Sequence, residues 1–241
     1  MQPQIIIPDY QGKHNENFEA AKVRLETAKS YQDLSTIIIC PTRGMVSAKV
    51  VQSWMGLMRP MNQKVIGPLF AIGMEVGDAY NSMIGMILGN PELSTWKYIL
   101  TIEEDNLPPQ DGLLKLYESM DKFDVVGGLY WTKGEAGQPM IYGDPAVEPV
   151  NFIPQIPQAE TVQPANGLGM GFNLFKLDIF KDDRIPKPWF RTVQELVPGK
   201  GARAYTQDLY FYENAGKLGY KFACDTRIKV GHYDVTMDVV W

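Results

Sequence analysis

The fold of the chain is decided by residues 96–109, which read WKYILTIEEDNLPP. The apolar part, residues 96–102, has the length of a buried strand, and runs of this kind are typical of parallel sheets covered on both faces. The run leads directly into three acids, Glu103, Glu104 and Asp105. Three adjacent carboxylates repel one another, so they favour either solvent or a bound cation. The stretch therefore predicts a buried strand that delivers acidic side chains to the edge of a sheet.

The same pattern of apolar strand and polar loop occurs on both sides of this stretch. Upstream, STIIICPTRG (35–44) predicts a buried strand that ends in a loop; downstream, DVVGGLYW (124–131) and GFNLFKLDIF (171–180) predict two more strands. Helices are predicted between the strands, over residues 46–58, 78–88, 111–121 and 206–218. Strands that alternate with helices indicate an α/β fold with a mostly parallel central sheet flanked by helices. In such sheets the ligand binds at the carboxyl ends of the strands.

The chain is expected to have two parts, an N-terminal extension over residues 1–35 and a main domain over residues 36–241. Residues 15–33 are rich in Ala, Glu and Lys, which favours a helix with a shallow apolar face. The N-terminus lacks the charged segment of a signal peptide, and no apolar stretch approaches the length that spans a membrane. We therefore expect a cytoplasmic protein without a membrane span.

Composition excludes some classes of partner. The 241 residues carry a formal net charge of −5, so a nucleic acid is not an expected ligand. A metal-bridged diphosphate is compatible with an acidic protein, because the cation supplies the positive charge and the protein supplies its ligands. The two cysteines, Cys40 and Cys224, lie in apolar runs, and we expect buried free thiols in a reducing compartment.

Three features point to chemistry, each with a structural alternative. The acids at 103–105 suit a divalent cation with oxygen ligands, but they also suit a solvated turn before two prolines. His232, in KVGHYD, is either a metal ligand that meets Asp105 in space or a structural histidine. Asp208 opens a predicted helix, where it is either a general base or an acid favoured by the helix dipole.

The order of motifs along residues 35–235 resembles that of the GT-A-fold glycosyltransferases, most closely the family 2 type. The resemblance is carried by STIIICPTRG, VGDAYNSM, YILTIEEDNLPP, VVGGLYW, GMGFNLFKLDIF, QDLYFYENAGKLGY and a late GHYD. It implies that residues 36–241 form a metal-dependent glycosyltransferase domain of the hexosyltransferase type. Such an enzyme moves a sugar from a nucleotide-diphosphate donor to an acceptor hydroxyl. A UDP-sugar is the first expectation for the donor and a GDP-sugar the second, with a carbohydrate or glycoconjugate as the acceptor.

The resemblance also assigns residues to the donor nucleotide. The contacts are expected from the loop residues Pro41, Thr42 and Arg43, from Asp78 and Asn81 at the base or ribose, and from Glu103 or Glu104 at the ribose. The motif departs from the family in having Glu where Asp often stands at its start.

Metal binding and catalysis are assigned in the same way. Asp105 matches the metal-binding end of the Asp-x-Asp-type motif, and His232 matches the late metal ligand, with Mn²⁺ or Mg²⁺ as the cofactor. Asp208 matches the catalytic base of an inverting reaction. A retaining reaction stays open, because a late metal-binding histidine also occurs in retaining GT-A enzymes. Gln207 departs from the family, which usually has an acid directly before the base.

Residues 187–205 are expected to form a mobile loop beside this site. Trp189 and Phe190 could stack on an acceptor sugar, and Lys200 or Arg203 could reach the diphosphate. The alternative is an ordinary surface loop with a packed aromatic anchor. A loop that closes would exclude water and limit hydrolysis of the donor.

Three other functions compete with this interpretation. A sugar nucleotidyltransferase normally has a glycine-rich, basic phosphate loop after its first strand, whereas CPTRGM has one Gly and one Arg. A glycoside hydrolase would use paired carboxylates and no nucleotide. A non-catalytic carbohydrate-binding protein is kept open by Gln207.

Overall fold

A computed structural model describes residues 32–197 and 201–241, and residues 34–241 form one compact unit. The N-terminal extension stays a prediction, because residues 1–31 lie outside the described residues. Within the described ranges no helix is long and apolar enough to cross a membrane.

The described residues form fourteen strands, four α-helices and two short 3-10 helices. The strands are β1 (Thr36–Thr42), β2 (Val65–Ile72), β3 (Tyr98–Ile102), β4 (Asn106–Leu107), β5 (Val125–Leu129), β6 (Ile141–Tyr142), β7 (Val162–Ala165), β8 (Gly167–Leu168), β9 (Phe172–Lys176), β10 (Val193–Val197), β11 (Gly201–Tyr205), β12 (Phe222–Lys229), β13 (Gly231–Asp234) and β14 (Val239–Val240). The α-helices are α1 (Ala48–Met55), α2 (Val76–Gly89), α3 (Gly112–Tyr117) and α4 (Gln207–Gly216), and the 3-10 helices are Leu93–Thr95 and Leu177–Lys181.

Seven strands form the central sheet, in the order β2-β1-β3-β9-β5-β12-β7. The strands β2, β1, β3, β5 and β12 run in one direction, and β9 and β7 run against them. This arrangement confirms the predicted α/β fold with a mostly parallel sheet.

The central strands are apolar because both faces of the sheet are covered. Residues of β1 alternate between two hydrophobic clusters: Ile37 and Ile39 pack in one, and Ile38 and Cys40 pack in the other. Helices α2 and α4 contribute to the first cluster, and α3 contributes to the second. Cys40 and Cys224 are free and buried, as predicted.

Within the described residues the predicted helices and strands of the main domain are present, with two differences. Helix α3 ends at Tyr117 rather than near residue 121, and turns follow it. The segment 187–205, expected as an irregular loop, contains β10 and β11, which pair antiparallel from Val193↔Tyr205 to Val197↔Gly201. Each strand has only five residues and no apolar run longer than two residues, so its pairing depends on the partner strand rather than on a buried apolar run.

The residues that follow β3 enter a small three-stranded sheet, in which the strand order is β14-β13-β4. Strand β4 has only two residues, and its pairing with β13 sets Asn106 opposite His232. A second contact fixes the same register, because the Tyr233 backbone N–H donates to the Asp105 carbonyl at 2.7 Å. This short ladder brings the C-terminal histidine to the acids that follow β3.

Candidate active site at the carboxyl end of the sheet

The loops after β1 and β3 meet because the two strands pair in parallel and end at the same edge of the sheet. Pro41 is buried in the last part of β1. Glu104 accepts hydrogen bonds from Thr42 Oγ1 at 2.6 Å and from the Arg43 backbone N–H at 2.9 Å, and it forms an ion pair with the Arg43 guanidinium. Burial alone would raise the pKa of Glu104, but these hydrogen bonds outweigh it and lower the pKa. Glu104 therefore ties the two loops together.

Glu103 points into a more enclosed region than Glu104. Its Oε1 lies 3.4 Å from the hydroxyl of Tyr80, which is fully buried. Burial raises the pKa of Glu103 to about 7, and the negative charges of Asp105 and Asp208 add to the increase. The Asp208 carboxylate therefore acts on Glu103 electrostatically. Glu103 thus titrates near neutral pH.

Asp105 and His232 are brought together by the β4–β13 ladder. The His232 Nδ1 atom lies 2.7 Å from the carbonyl oxygen of Trp131. Because a carbonyl only accepts hydrogen bonds, Nδ1 carries a proton, and the other ring nitrogen is directed elsewhere. That nitrogen, Nε2, faces Asp105 Oδ2 at 3.4 Å. Burial alone would lower the pKa of His232, but the hydrogen bonds with Asp105 and Trp131 raise it.

Lys133 completes this cluster and was not found from the sequence. Its Nζ lies 2.6 Å from Asp105 Oδ2, the same oxygen that faces His232. Burial alone would raise the pKa of Asp105, but the hydrogen bonds from His232 and Lys133 outweigh burial and lower it. Asp105 is therefore held ionised between two nitrogen groups.

The Asp105–His232 pair is suited to a divalent metal ion. A carboxylate oxygen and an imidazole nitrogen are a donor set that Mn²⁺ accepts, and the Nε2 atom is left for a ligand because Trp131 engages Nδ1. Among the described residues, no group of three or more His, Cys, Asp or Glu side chains could hold a metal ion. Further ligands would have to come from water or from phosphate oxygens, as is common for such ions.

Asp208 lies in the first turn of α4 and is 7% exposed. Its Oδ1 accepts a hydrogen bond from the backbone N–H of Leu209 at 2.9 Å. Burial raises the pKa of Asp208, against the opposing effect of hydrogen bonds that include one from Thr206. The carboxylate is consequently a stronger base than an exposed aspartate. Gln207 turns away to Thr192, whose hydroxyl lies 3.5 Å from the Gln207 side-chain oxygen.

Asp78 and Asn81 occupy the start of α2 but differ in availability. Asp78 is exposed, and its backbone N–H donates to the Glu75 carboxylate at 3.0 Å. Asn81 donates from Nδ2 to the Phe190 carbonyl at 2.7 Å and accepts from the Phe190 N–H at 3.1 Å. Because both ends of its amide bind the Phe190 backbone, we infer a structural role for Asn81; the expected contact with base or ribose stays a prediction.

Trp189 and Phe190 anchor their segment in the core. They are only 7% and 2% exposed, and Phe190 stacks on Phe211 with ring centroids 4.9 Å apart. The expectation that they stack on an acceptor sugar is wrong, since their rings are covered by protein; the alternative of a packed aromatic anchor is correct. Lys200 lies outside the described residues, and the side chain of Arg203 is not among the described side chains.

Tyr130 is a second residue of the site that sequence reasoning missed. It is buried, its ring lies edge-on to His232 with centroids 5.5 Å apart, and its hydroxyl accepts from the Gly171 N–H at 2.9 Å. A Cβ on Gly171 would lie 2.7 Å from the Tyr130 ring, and one on Gly169 would lie 2.3 Å from its hydroxyl. The alternating glycines after residue 166 make room for this ring, and they are the signal that could have located it.

A groove of about 790 Å³ runs beside α4. Its lining includes Phe152, Asn166, Tyr205, Leu209, Tyr212 and Tyr220. Leu209, which directly follows Asp208 in the chain, is one of the lining residues, whereas Asp208 itself is buried. The groove offers aromatic and apolar surface beside α4.

Comparison with known proteins identifies the fold of the chain, through similarity to solved structures. No protein-family model matches the sequence, and no curated protein sequence is similar to it. Among solved structures, A197 from STIV is similar with a TM-score of 0.58 and 18% identity, over 83% of this chain and 86% of that chain. GalNAc-T7, solved with UDP, GalNAc and Mn²⁺, is similar with a TM-score of 0.54 and 9% identity, over 84% of this chain and 44% of that chain. The chain thus spans less than half of GalNAc-T7 but has the GT-A glycosyltransferase fold.

Proposed function

We propose that this protein is a metal-dependent glycosyltransferase that moves a sugar from a nucleotide-diphosphate donor to an acceptor hydroxyl. The proposal is carried by the contact between Asp105 and His232 at the carboxyl end of the sheet. It is supported by the fold shared with GalNAc-T7, which was solved with UDP, GalNAc and Mn²⁺. Asp208 is a buried carboxylate that acts electrostatically on Glu103, and it would supply the base.

The loops after β1 and β3 would hold the nucleoside. Thr42, Arg43 and Glu104 form one hydrogen-bonded unit, so a nucleoside that binds there meets a fixed surface. The Arg43 side chain is 81% exposed, which leaves its remaining guanidinium donors free to contact the ligand. Asp78 is exposed at the start of α2 and is a further candidate for a ribose or base contact. A UDP-sugar is proposed as the donor, with a GDP-sugar next.

Asp105 and His232 would hold Mn²⁺ or Mg²⁺ between the protein and the donor diphosphate. When bound, the metal ion would neutralise the charge that develops on the leaving phosphate. The role of His232 depends on Trp131, whose carbonyl fixes the ring so that Nε2 faces Asp105. Tyr130, packed against the same imidazole, keeps water away from one side of the pair.

Asp208 would take the proton from the acceptor hydroxyl, and attack from the face opposite the leaving group would invert the anomeric configuration. Burial prepares Asp208 for this role, because its raised pKa makes the ionised form a better proton acceptor. Glu103 is a second carboxylate with a raised pKa, about 7, and the charge of Asp208 contributes to that increase. We assign the base to Asp208 because it opens α4 at the position that the resemblance to GT-A glycosyltransferases gives to the catalytic acid.

Two variants separate the proposed roles. Asp105→Ala should abolish metal-dependent binding of the donor nucleotide, because the carboxylate that holds the metal is lost. Asp208→Asn should bind the nucleotide and metal normally but lose sugar transfer by a hundredfold or more, as expected for a general base. Asp183→Asn is the matched control, since Asp183 is 91% exposed and its ion pair among the described residues is with the surface Lys187. Full transfer by Asp208→Asn would remove the assignment of the base.

A further inference from the structure

We propose that Lys133 neutralises Asp105 in the free protein and moves to the donor diphosphate when the metal ion binds. This inference rests on the proposed function, because it concerns the same site. It assigns to Lys133 two roles: binding the diphosphate, and competing with the metal ion for Asp105.

The first observation is the position of Lys133. It lies in a short hairpin, residues 131–139, in which the Thr132 N–H donates to the Gln138 carbonyl at 2.9 Å and the Gln138 N–H donates to Thr132 Oγ1 at 2.8 Å. These bonds hold the base of the hairpin, and Lys133 is the next residue beyond it. The hairpin thus carries the ammonium to the edge of the site.

The second observation is that Lys133 uses the oxygen that the metal ion needs. Asp105 Oδ2 is 2.6 Å from Lys133 Nζ and 3.4 Å from His232 Nε2. A cation held by Asp105 Oδ2 and His232 Nε2 would meet the ammonium at the same oxygen. Like charges so close in a partly buried site repel strongly. The ammonium therefore has to leave Asp105 when the metal ion arrives.

The third observation concerns where the ammonium can go. The Lys133 side chain is 31% exposed and has a flexible four-carbon stem, so it can swing without unfolding the hairpin base. A lysine ammonium binds phosphate as a point charge, and the diphosphate would be bound to the same metal ion. Among the described cations at this edge, Arg43 has one guanidinium nitrogen held by Glu104, whereas the partner of Lys133 is the oxygen that the metal ion would take. Lys133 is consequently the residue that can follow the metal ion onto the phosphates.

The proposal predicts effects of opposite sign on two ligands. Lys133→Met should tighten the binding of Mn²⁺ alone by about tenfold or more, because a competing charge is removed. The same variant should weaken the binding of inorganic pyrophosphate in saturating Mn²⁺ by about tenfold or more, because a phosphate ligand is removed. Lys133→Arg should stay near the parent protein in both measurements. Lys187→Met is the control for loss of a surface lysine.

The experiment is a titration of Mn²⁺ followed by electron paramagnetic resonance, then a calorimetric titration of pyrophosphate, both on the full chain. Opposite shifts in Lys133→Met support the proposal, as does Mn²⁺ binding that appears only in this variant. Unchanged Mn²⁺ affinity, or shifts of the same sign, would overturn it. Asp105→Asn separates this failure from that of the proposed function: if it abolishes Mn²⁺ binding while Lys133→Met has no effect, the metal site stands and the role of Lys133 falls. If neither the parent nor Lys133→Met binds Mn²⁺, both proposals fall.

Discussion

Replacing Glu103 by Gln should stabilise the protein above neutral pH and leave its stability unchanged in acid. The pKa of Glu103 is raised from 4.5 to about 7, so the folded state holds its proton more tightly than the unfolded state does. The protonated Glu103 side chain therefore makes its full contribution to stability below pH 4.5, and this contribution is lost as the pH rises through about 7. Gln resembles the protonated acid, so the variant should keep the stability that the parent loses.

The size of the effect follows from the same pKa. At about 1.4 kcal/mol for each pKa unit, a rise from 4.5 to about 7 amounts to at most about 3.5 kcal/mol at pH 8. Because Glu103 is only half-buried, we expect about 2 kcal/mol, equivalent to a rise in Tm of roughly 4–8 °C for a chain of this length.

The assay is urea unfolding followed by circular dichroism at pH 4.5 and pH 8, with a chelator present. Glu104→Gln is the matched control, because hydrogen bonds from Thr42 and Arg43 lower the pKa of that carboxyl. Its replacement should destabilise the protein at pH 8 by about 1–2 kcal/mol, and this loss should shrink as the pH falls below 4.5. A Glu103→Gln protein no more stable than the parent at pH 8, or equally stabilised at both pH values, would refute the reasoning.

Three further predictions concern other parts of the site. Asp208→Asn should raise the Tm at pH 7.5 but not at low pH, because burial raises the pKa of Asp208 and the ionised form destabilises the folded state; thermal melts at both pH values test this. Asn81→Ala should lower the free energy of unfolding by about 2 kcal/mol by leaving the Phe190 backbone unpaired, while calorimetry finds donor-nucleotide binding unchanged. We propose that the groove beside α4 receives the acceptor; Leu209→Trp should then fill it, so product analysis should find less transfer to acceptors and unchanged hydrolysis of the donor.

Sequence patterns predicted the fold well because apolar strands are a local signal. The run Ile37–Cys40 and the run ending at Ile102 are buried strands in the structure, as their composition requires. Sequence patterns predicted the loops less accurately than the strands. The pair β10–β11 depends on cross-strand contacts between two five-residue segments, which no short window of sequence contains.

The site was predicted in part, and the misses share a physical cause. Asp105 and His232 were expected to meet, and the two-residue strand β4 is what brings them together. Lys133 could not be found from the sequence, because Asp105, which it contacts, lies 28 residues away in the chain. Asn81 was assigned to the donor, which stays a prediction, although a buried backbone partner 109 residues away uses both ends of its amide. Long-range contacts of this kind decide which polar side chains are free.

The central claim is that Asp105 and His232 bind a metal ion that links the protein to a nucleoside diphosphate. The most direct measurement is a calorimetric titration of UDP, GDP and CMP into the protein, each with Mn²⁺ and with chelator. The account predicts that one nucleoside diphosphate, UDP first, binds in Mn²⁺ and that chelator or Asp105→Ala removes this binding. Binding that is equal with Mn²⁺ and with chelator, or the absence of binding by all three, would contradict it.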